Sequence, residues 1–254
     1  MPIAITRGLS PAIVRCELTH IERQPIDLAA ARAQHERYER TLAELGYELV
    51  RLPVEPELPD SVFVEDAAVV VDELAVITRP GAPSRRPETV AVEAALAAHR
   101  TLARHNEPAT LDGGDVLRVG KRVFVGLTSR TNPEGIEQLR AALAPCGYTV
   151  EGVAVSGCLH LKSAVTQVGA GTVLVNPDWV DPSAFAPLLV MTVDPAEPAA
   201  ANTLLLEKTL VVADAYPCTA VRLEGAGLTT VRLDMSELAK AEGALTCCSL
   251  LLND

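Results

Sequence analysis

Four times along the 254-residue chain the same text recurs: an apolar run, a turn of two or three residues, a second apolar run, and a breaker containing Pro, Gly or Asn. The copies are AAVVVDELAVITRPG (67–81), DVLRVGKRVFVGL (115–127), SAVTQVGAGTVLVNP (163–177) and NTLLLEKTLVVADAYP (202–217). Such a repeat constrains the fold more than composition does, because one unit cannot bury its own apolar face and must stack on its neighbours. Each copy predicts a β-hairpin, with β-branched runs around Asp-Glu, Gly-Lys, Gly-Ala-Gly and Glu-Lys turns. Helical patterns follow at 88–103 and 132–147, the second with Asn132 as N-cap, Pro133 in the first turn and Gly147 past the end. Further strands are expected at 47–52 and 230–235. A fifth copy is split between the termini: CCSLLLND ends the chain, and IAITRG (3–8) matches AVITRPG (75–81). Pairing the termini closes a ring and leaves fewer exposed sheet edges, so one closed domain over 1–254 is expected.

Each hairpin is preceded by a polar residue: Asp66, Asp112, His160, Asn202 and Cys247, at intervals of 42 to 48 residues. In a closed ring, equivalent positions converge on one axis. Cys247 and Cys248, taken alone, read as small hydrophobes in a strand; the repeat register singles out Cys247. His160, in GCLHLKSAV (157–165), reads alone as a core or edge histidine, yet beside a thiol it supplies the base or positive charge that thiolate formation needs. Asp66 in VFVED and Asp112 in LDGGD sit between apolar strands, where carboxylates are costly without a cation. A planar guanidinium suits them, supplied by a ligand or by the protein's own arginines. Arg85 and Arg130 follow the two acids by 19 and 18 residues and read as a pair that holds an α-carboxylate or as solvated surface groups. Gly113 and Gly114 allow close backbone approach or positive φ, a turn being the alternative.

Apolar residues make up 48% of the chain and aromatics 3%, so aliphatic side chains must fill the core. Six scattered cysteines do not form a secreted disulfide framework, which favours a reducing cytoplasm. The first residues, MPIAITRGLS, lack the apolar region of a signal peptide, and no apolar run approaches the roughly 20 residues of a membrane span. A net charge of −11 argues against general nucleic-acid binding and suits a cationic small ligand. Without a Gly-rich phosphate loop or CxxC and HExxH spacings, no nucleotide cofactor and no metal are expected.

PDSVFVEDAAVV (59–70), ITRPGAPSRR (77–86), TLDGGDVL (110–117), RTN (130–132), LHLKS (159–163) and LTCCSLL (245–251) together resemble, in order and spacing, the dimethylarginine dimethylaminohydrolase family. The resemblance spans essentially the whole chain. It implies an α/β fold, a five-bladed pseudosymmetric propeller of ββαβ-type modules whose last module is closed by the N- and C-terminal strands. It also implies hydrolysis of Nω-methylated arginines to citrulline and an amine, without a cofactor. By motif position Cys247 would be the nucleophile, His160 the general acid and base, and Asp112 the catalytic carboxylate. Asp60, Glu65 and Asp66 match substrate contacts, and Arg85 and Arg130 match groups that hold the amino-acid end. Leu18 and Ala241 fall where the family turns backbone oxygens toward the α-ammonium. The stretch CELTHIERQPID (16–27) departs from the family's forms. The implied partner is a small guanidine amino acid, with no nucleic acid or membrane, and a homodimer is compatible. Rival readings are a hydrolase or deiminase acting on arginine or another N-substituted guanidine, a non-catalytic propeller that binds ribosomes, and a redox sensor built on Cys247 and Cys248.

Overall fold

A computed structural model describes residues 1–253 and contains five three-stranded sheets. Each sheet is an antiparallel hairpin whose second strand takes a parallel third strand. The hairpin β3 (Ala68–Val70) and β4 (Leu74–Ile77) receives β5 (Thr101–Arg104). Next come β6 (Val116–Val119), β7 (Arg122–Leu127) and β8 (Thr149–Ala154), then β9 (Val165–Gly169), β10 (Thr172–Val175) and β11 (Leu189–Thr192). The fourth sheet holds β12 (Leu204–Leu206), β13 (Thr209–Ala213) and β14 (Thr229–Leu233). The fifth joins the two ends of the chain: β15 (Leu250–Leu252) runs antiparallel to β1 (Ile3–Arg7), with Ile3 opposite Leu252, and β1 pairs in parallel with β2 (Glu48–Leu52). The predicted ring closure is therefore made by backbone hydrogen bonds.

The parallel third strand requires a crossover, and helices supply it in four modules: α1 (Leu28–Glu44), α2 (Thr89–Leu96), α3 (Pro133–Leu143) and α5 (Pro217–Gly225), the short α4 (Leu161–Ala164) lying before β9. Helix α3 starts as expected: the Asn132 side chain accepts the Gly135 N–H at 2.8 Å, and Gly147 takes a left-handed φ of 76°. The helical reading of 88–103 is too long. The helix ends at Leu96, and Thr101–Arg104 pairs with Leu74–Ile77, because strand pairing overrides the helix propensity of AAHRTLA. In the β9–β11 module a single turn, Pro182–Phe185, replaces the helix, and buried Phe185 packs edge-on against Phe124 at 5.1 Å.

The core is aliphatic and lies between sheets and helices. Leu139 and Leu143 of α3 pack with Val123, Val125 and Val150, while Val92 and Leu96 of α2 pack with Ala75, Ile77 and Val64. The first strands of all five modules line one common basin, as the ring predicts. A short helical turn precedes each of those strands: Val64–Ala67, Gly113–Asp115, α4, Pro198–Ala201 and Thr246–Cys248. These five turns carry or adjoin the converging polar residues. Among the described residues no cysteine forms a disulfide, and no helix is long and apolar enough to cross a membrane.

Candidate active site

The turns gather their side chains around a small cavity lined by Glu17, Asp60, Phe63, Asp66, Arg85, Arg130, Leu159, His160, Ala241, Glu242 and Cys247. His160 lies between two carboxylates. Its Nε2 is 3.2 Å from Asp112 Oδ2, and its Nδ1 is 3.9 Å from Asp66 Oδ1, too far for a hydrogen bond. Nδ1 is thus the ring nitrogen left for a reacting group. Asp112 is held from behind, its Oδ1 accepting the Gly81 N–H at 2.9 Å and its own N–H donating to Thr131 Oγ1 at 3.2 Å. Gly113 and Gly114 serve close approach, since a Cβ on Gly114 would lie 2.5 Å from His160 Nδ1 and one on Gly113 would lie 2.0 Å from the Glu65 carbonyl. Neither takes a positive φ.

Most residues singled out in the sequence meet here, with four departures. Glu65 does not line this cavity: its carboxylate pairs with Lys162 and accepts the Thr246 hydroxyl at 2.8 Å, facing the basin of the first strands. Neighbouring residues of one helical turn point in different directions, so Asp66 faces the cavity and Glu65 does not. Arg85 lines the cavity, but its guanidinium is committed inward. Nη1 donates to Asp66 Oδ2 at 2.6 Å, and Nη2 donates to Glu88 Oε2 at 2.8 Å and to the Phe63 carbonyl at 3.2 Å. The cation that buried Asp66 requires is therefore the protein's own. Arg130 remains for an anionic ligand, its one side-chain hydrogen bond among the described residues going to Thr19 Oγ1 at 3.1 Å. Leu18 is half-buried and packs on the core that includes Phe63, its side chain outside the cavity. Asn202, the fourth axial residue, accepts the Thr246 N–H at 3.1 Å and donates to the Lys162 carbonyl at 3.0 Å, bracing the turn that carries Cys247.

Electrostatics set the resting protonation. Burial alone would lower the His160 imidazole, but Asp66, the hydrogen bond to Asp112 and nearby Asp115 outweigh it and raise its pKa to about 9. Burial, reinforced by the charges of Glu65 and Asp66, pushes the Cys247 thiol up to about 12. Burial would also raise Asp66, yet His160 and Arg85 hold it below the usual carboxylate range. The cavity thus presents a thiol and an imidazolium at neutral pH. A guanidinium about 4 Å from sulfur at an effective dielectric near 20 contributes about 4 kcal/mol, enough to lower the thiol pKa by roughly two to three units. Ultraviolet thiolate absorbance, taken as wild type minus Cys247→Ser, is therefore expected to titrate at lower pH when non-denaturing guanidinium chloride is added. Superimposable titrations would refute ligand-assisted ionisation.

An arginine deiminase family model matches residues 53–185. N(G),N(G)-dimethylarginine dimethylaminohydrolase of Streptomyces coelicolor is 43% identical over 255 residues, covering 99% of this chain and 97% of the relative. The chain belongs to the dimethylarginine dimethylaminohydrolase family. Solved structures of dimethylarginine dimethylaminohydrolases share its fold. The Pseudomonas aeruginosa protein, as a Cys-to-Ser variant complexed with citrulline, aligns with a TM-score of 0.94 at 30% identity over 98% of each chain. A His-to-Gly variant of a dimethylarginine dimethylaminohydrolase, as an adduct with S-methyl-L-thiocitrulline, aligns equally well, with a TM-score of 0.94 at 30% identity.

Two acids that the sequence reading left without a role stand out in this family member. Asp115, fully buried, accepts the Thr131 and Thr128 hydroxyls at 2.6 and 2.7 Å and the Leu161 N–H at 2.9 Å. Because Thr131 also receives the Asp112 N–H, and Leu161 follows His160, Asp115 ties the Asp112 and His160 loops to one point. Its place in LDGGD, an acid entering an apolar strand, was the available signal. Glu242 also lines the cavity, and no pattern in KAEGA marks it.

Proposed function

We propose that this chain, acting as one catalytic domain, hydrolyses Nω-methylated L-arginine to L-citrulline and dimethylamine or methylamine. The observation that carries this reading is the single cavity shared by Cys247, His160, Asp66 and Arg130, with Asp112 behind the imidazole. The side chain of Arg130 receives the substrate carboxylate, and the backbone oxygens at Leu18 and Ala241 receive the α-ammonium. Asp66 and Asp60 face the bound cation. With the guanidinium in place, Cys247 releases its proton to solvent, since His160 is already protonated, and the thiolate attacks the guanidinium carbon, forming a C–S bond. His160 gives its proton to the departing amine as the C–N bond breaks, leaving a covalent thiouronium and neutral imidazole. The imidazole then takes a proton from water, whose oxygen bonds to the same carbon, and the C–S bond breaks to release thiolate and citrulline, the remaining hydroxyl proton passing to solvent. Orientation by Asp112 keeps the imidazole edge aligned through both transfers. Unpaired thiols fit a reducing compartment, and the cytoplasm is the proposed location.

The test is to incubate the protein separately with arginine, monomethylarginine and the two dimethylarginines, following citrulline and amine. Release of methylated amines well above release of ammonia from arginine is the expected result. Ammonia from arginine as the dominant product would replace this reading with a deiminase, and no product from any of the four would refute it.

A further inference from the structure

Residues 17–24 have no regular secondary structure and meet the catalytic cavity through Glu17, which lines it, and Thr19, which is bonded to the lining residue Arg130. The Glu17 N–H donates to Asp60 Oδ2 at 3.1 Å, Ser84 donates to Glu17 Oε1 at 2.6 Å, and Arg130 donates to Thr19 Oγ1 at 3.1 Å. The densest attachment is to Glu242. Its Oε2 accepts the Thr19 N–H at 2.8 Å, and its Oε1 accepts the N–H groups of His20 and Ile21 at 2.6 and 3.1 Å. Three successive backbone donors on one carboxylate form an anion nest whose anion belongs to the protein.

The backbone of Glu242 carries a second, independent signal. After α6 (Ser236–Ala239), the Glu242 N–H donates to the Ala239 carbonyl and the Gly243 N–H to the Leu238 carbonyl, each at 3.1 Å, the paired bonds of a Schellman end. Glu242 occupies the left-handed position of that motif with a φ of 54°. Glycine fits that position without strain, and a bulky acid does not. The chain keeps a glutamate there, one residue before a glycine and one after Ala241.

We propose that Glu242 is a latch that fixes residues 19–21 at the cavity and so positions the groups that receive the substrate's amino-acid end. The inference rests on the proposed function above for its kinetic consequence, though not for the latch itself. Holding the Thr19 amide keeps the Thr19 hydroxyl on Arg130, and holding the segment keeps the Glu17 amide on Asp60. Both cavity residues are therefore set by the segment that Glu242 pins. Glu242 also stands in the wall shared with a largely apolar cleft whose lining includes His20 and Ile21. Releasing the latch would open the catalytic cavity toward that cleft. Glu242 reaches the segment and not the reacting carbon, so it is a positioning residue.

Glu242→Gly removes the latch and relieves the backbone, which separates this role from a structural one. Hydrogen–deuterium exchange over residues 17–24 is expected to quicken by roughly tenfold or more, the equivalent of losing one charge-assisted hydrogen bond. Thermal stability should be equal or higher. KM for dimethylarginine should rise about tenfold while kcat changes less than about threefold, a loss of positioning before chemistry. Unchanged exchange in the variant would overturn the latch, with or without measurable turnover. Faster exchange with unchanged KM would overturn its link to substrate binding, and a fall in melting temperature with an equal loss of kcat would mark Glu242 as structural. An inactive wild type would instead count against the proposed reaction, leaving exchange to decide the latch.

Discussion

Replacing Cys247 by Ser is expected to lower kcat by roughly 10³-fold or more, while Cys248→Ser leaves it within about threefold of wild type. The two thiols are adjacent in sequence and both buried, so chemistry alone does not separate them. Their surroundings do. Cys247 lines the cavity with His160 and Asp66, whereas Cys248 is fully enclosed in the core containing Tyr38, Leu42 and Leu245, its Sγ 3.6 Å from the Ala244 carbonyl. Burial and the neighbouring Cys247 push the Cys248 thiol well above its ordinary pKa, and no cationic ligand can reach it there. At position 247 a serine hydroxyl is far harder to ionise than a thiol, and the guanidinium's help of roughly two to three pKa units does not close that gap. At position 248 the serine oxygen sits on a shorter bond than the sulfur and stays beyond hydrogen-bond reach of the Ala244 carbonyl, so the substitution registers as a lower melting temperature and a loss of the order of 1–3 kcal/mol in stability. Citrulline release under saturating dimethylarginine, with melting curves for both variants, checks the contrast. Equal losses of kcat in the two variants would remove Cys247 from the nucleophile's role.

The axis was legible in the sequence because it is written in a local period. The turn residues, the β-branched runs and the polar residue before each hairpin recur at similar spacing, and the split fifth copy names its own partner, β15 with β1. The strand Thr101–Arg104 was hidden because it carries no alternation of its own: it is specified by the edge of β4, a distant contact. The same limit applies inside the site. Which member of Glu65-Asp66 faces the cavity depends on the rotation of one short turn. The sequence motif contains both acids, but only Lys162 and Thr246, over 90 residues away, decide that Glu65 turns to the other basin. Arg85 and Arg130 occupy matching repeat positions yet differ in role, because Glu88 lies three residues beyond Arg85 and completes a buried ion cluster around it. The latch at Glu242 depends on a backbone conformation and on amides 221 to 223 residues distant, a juxtaposition with no local signature.

His160→Gly is expected to lower dimethylarginine hydrolysis by roughly 10² to 10⁴-fold while preserving covalent reaction of Cys247 with S-methyl-L-thiocitrulline. The asymmetry follows from the leaving groups. An amine expelled without a proton would leave as an amide anion, a base far too strong to be released into water, so expulsion requires the proton assigned here to His160. A methanethiolate leaves unaided, since thiols ionise near about 8.5. The His-to-Gly structure of a relative, captured as an adduct with S-methyl-L-thiocitrulline, makes the same probe suitable here. The wild-type rate profile adds a second readout with a fixed sign. Because Asp66, Asp112 and Asp115 raise the imidazole to about 9 despite burial, the proton donor is present below that pH and lost above it. Hydrolysis of dimethylarginine needs the Cys247 thiolate and the His160 imidazolium together, so it should pass through a maximum near about 9 and fall above it, whereas adduct formation with S-methyl-L-thiocitrulline in His160→Gly should rise over the same range without that fall. Folding is checked by the melting curve, because removing the imidazolium leaves the Asp112 carboxylate, among the described residues, with the Gly81 amide alone and Asp66 with Arg85 and the Gly114 amide. A folded variant that hydrolyses dimethylarginine at near wild-type rate would take the proton donor's role from His160. A folded variant that forms no adduct would show that the imidazole is needed for attack as well as for departure.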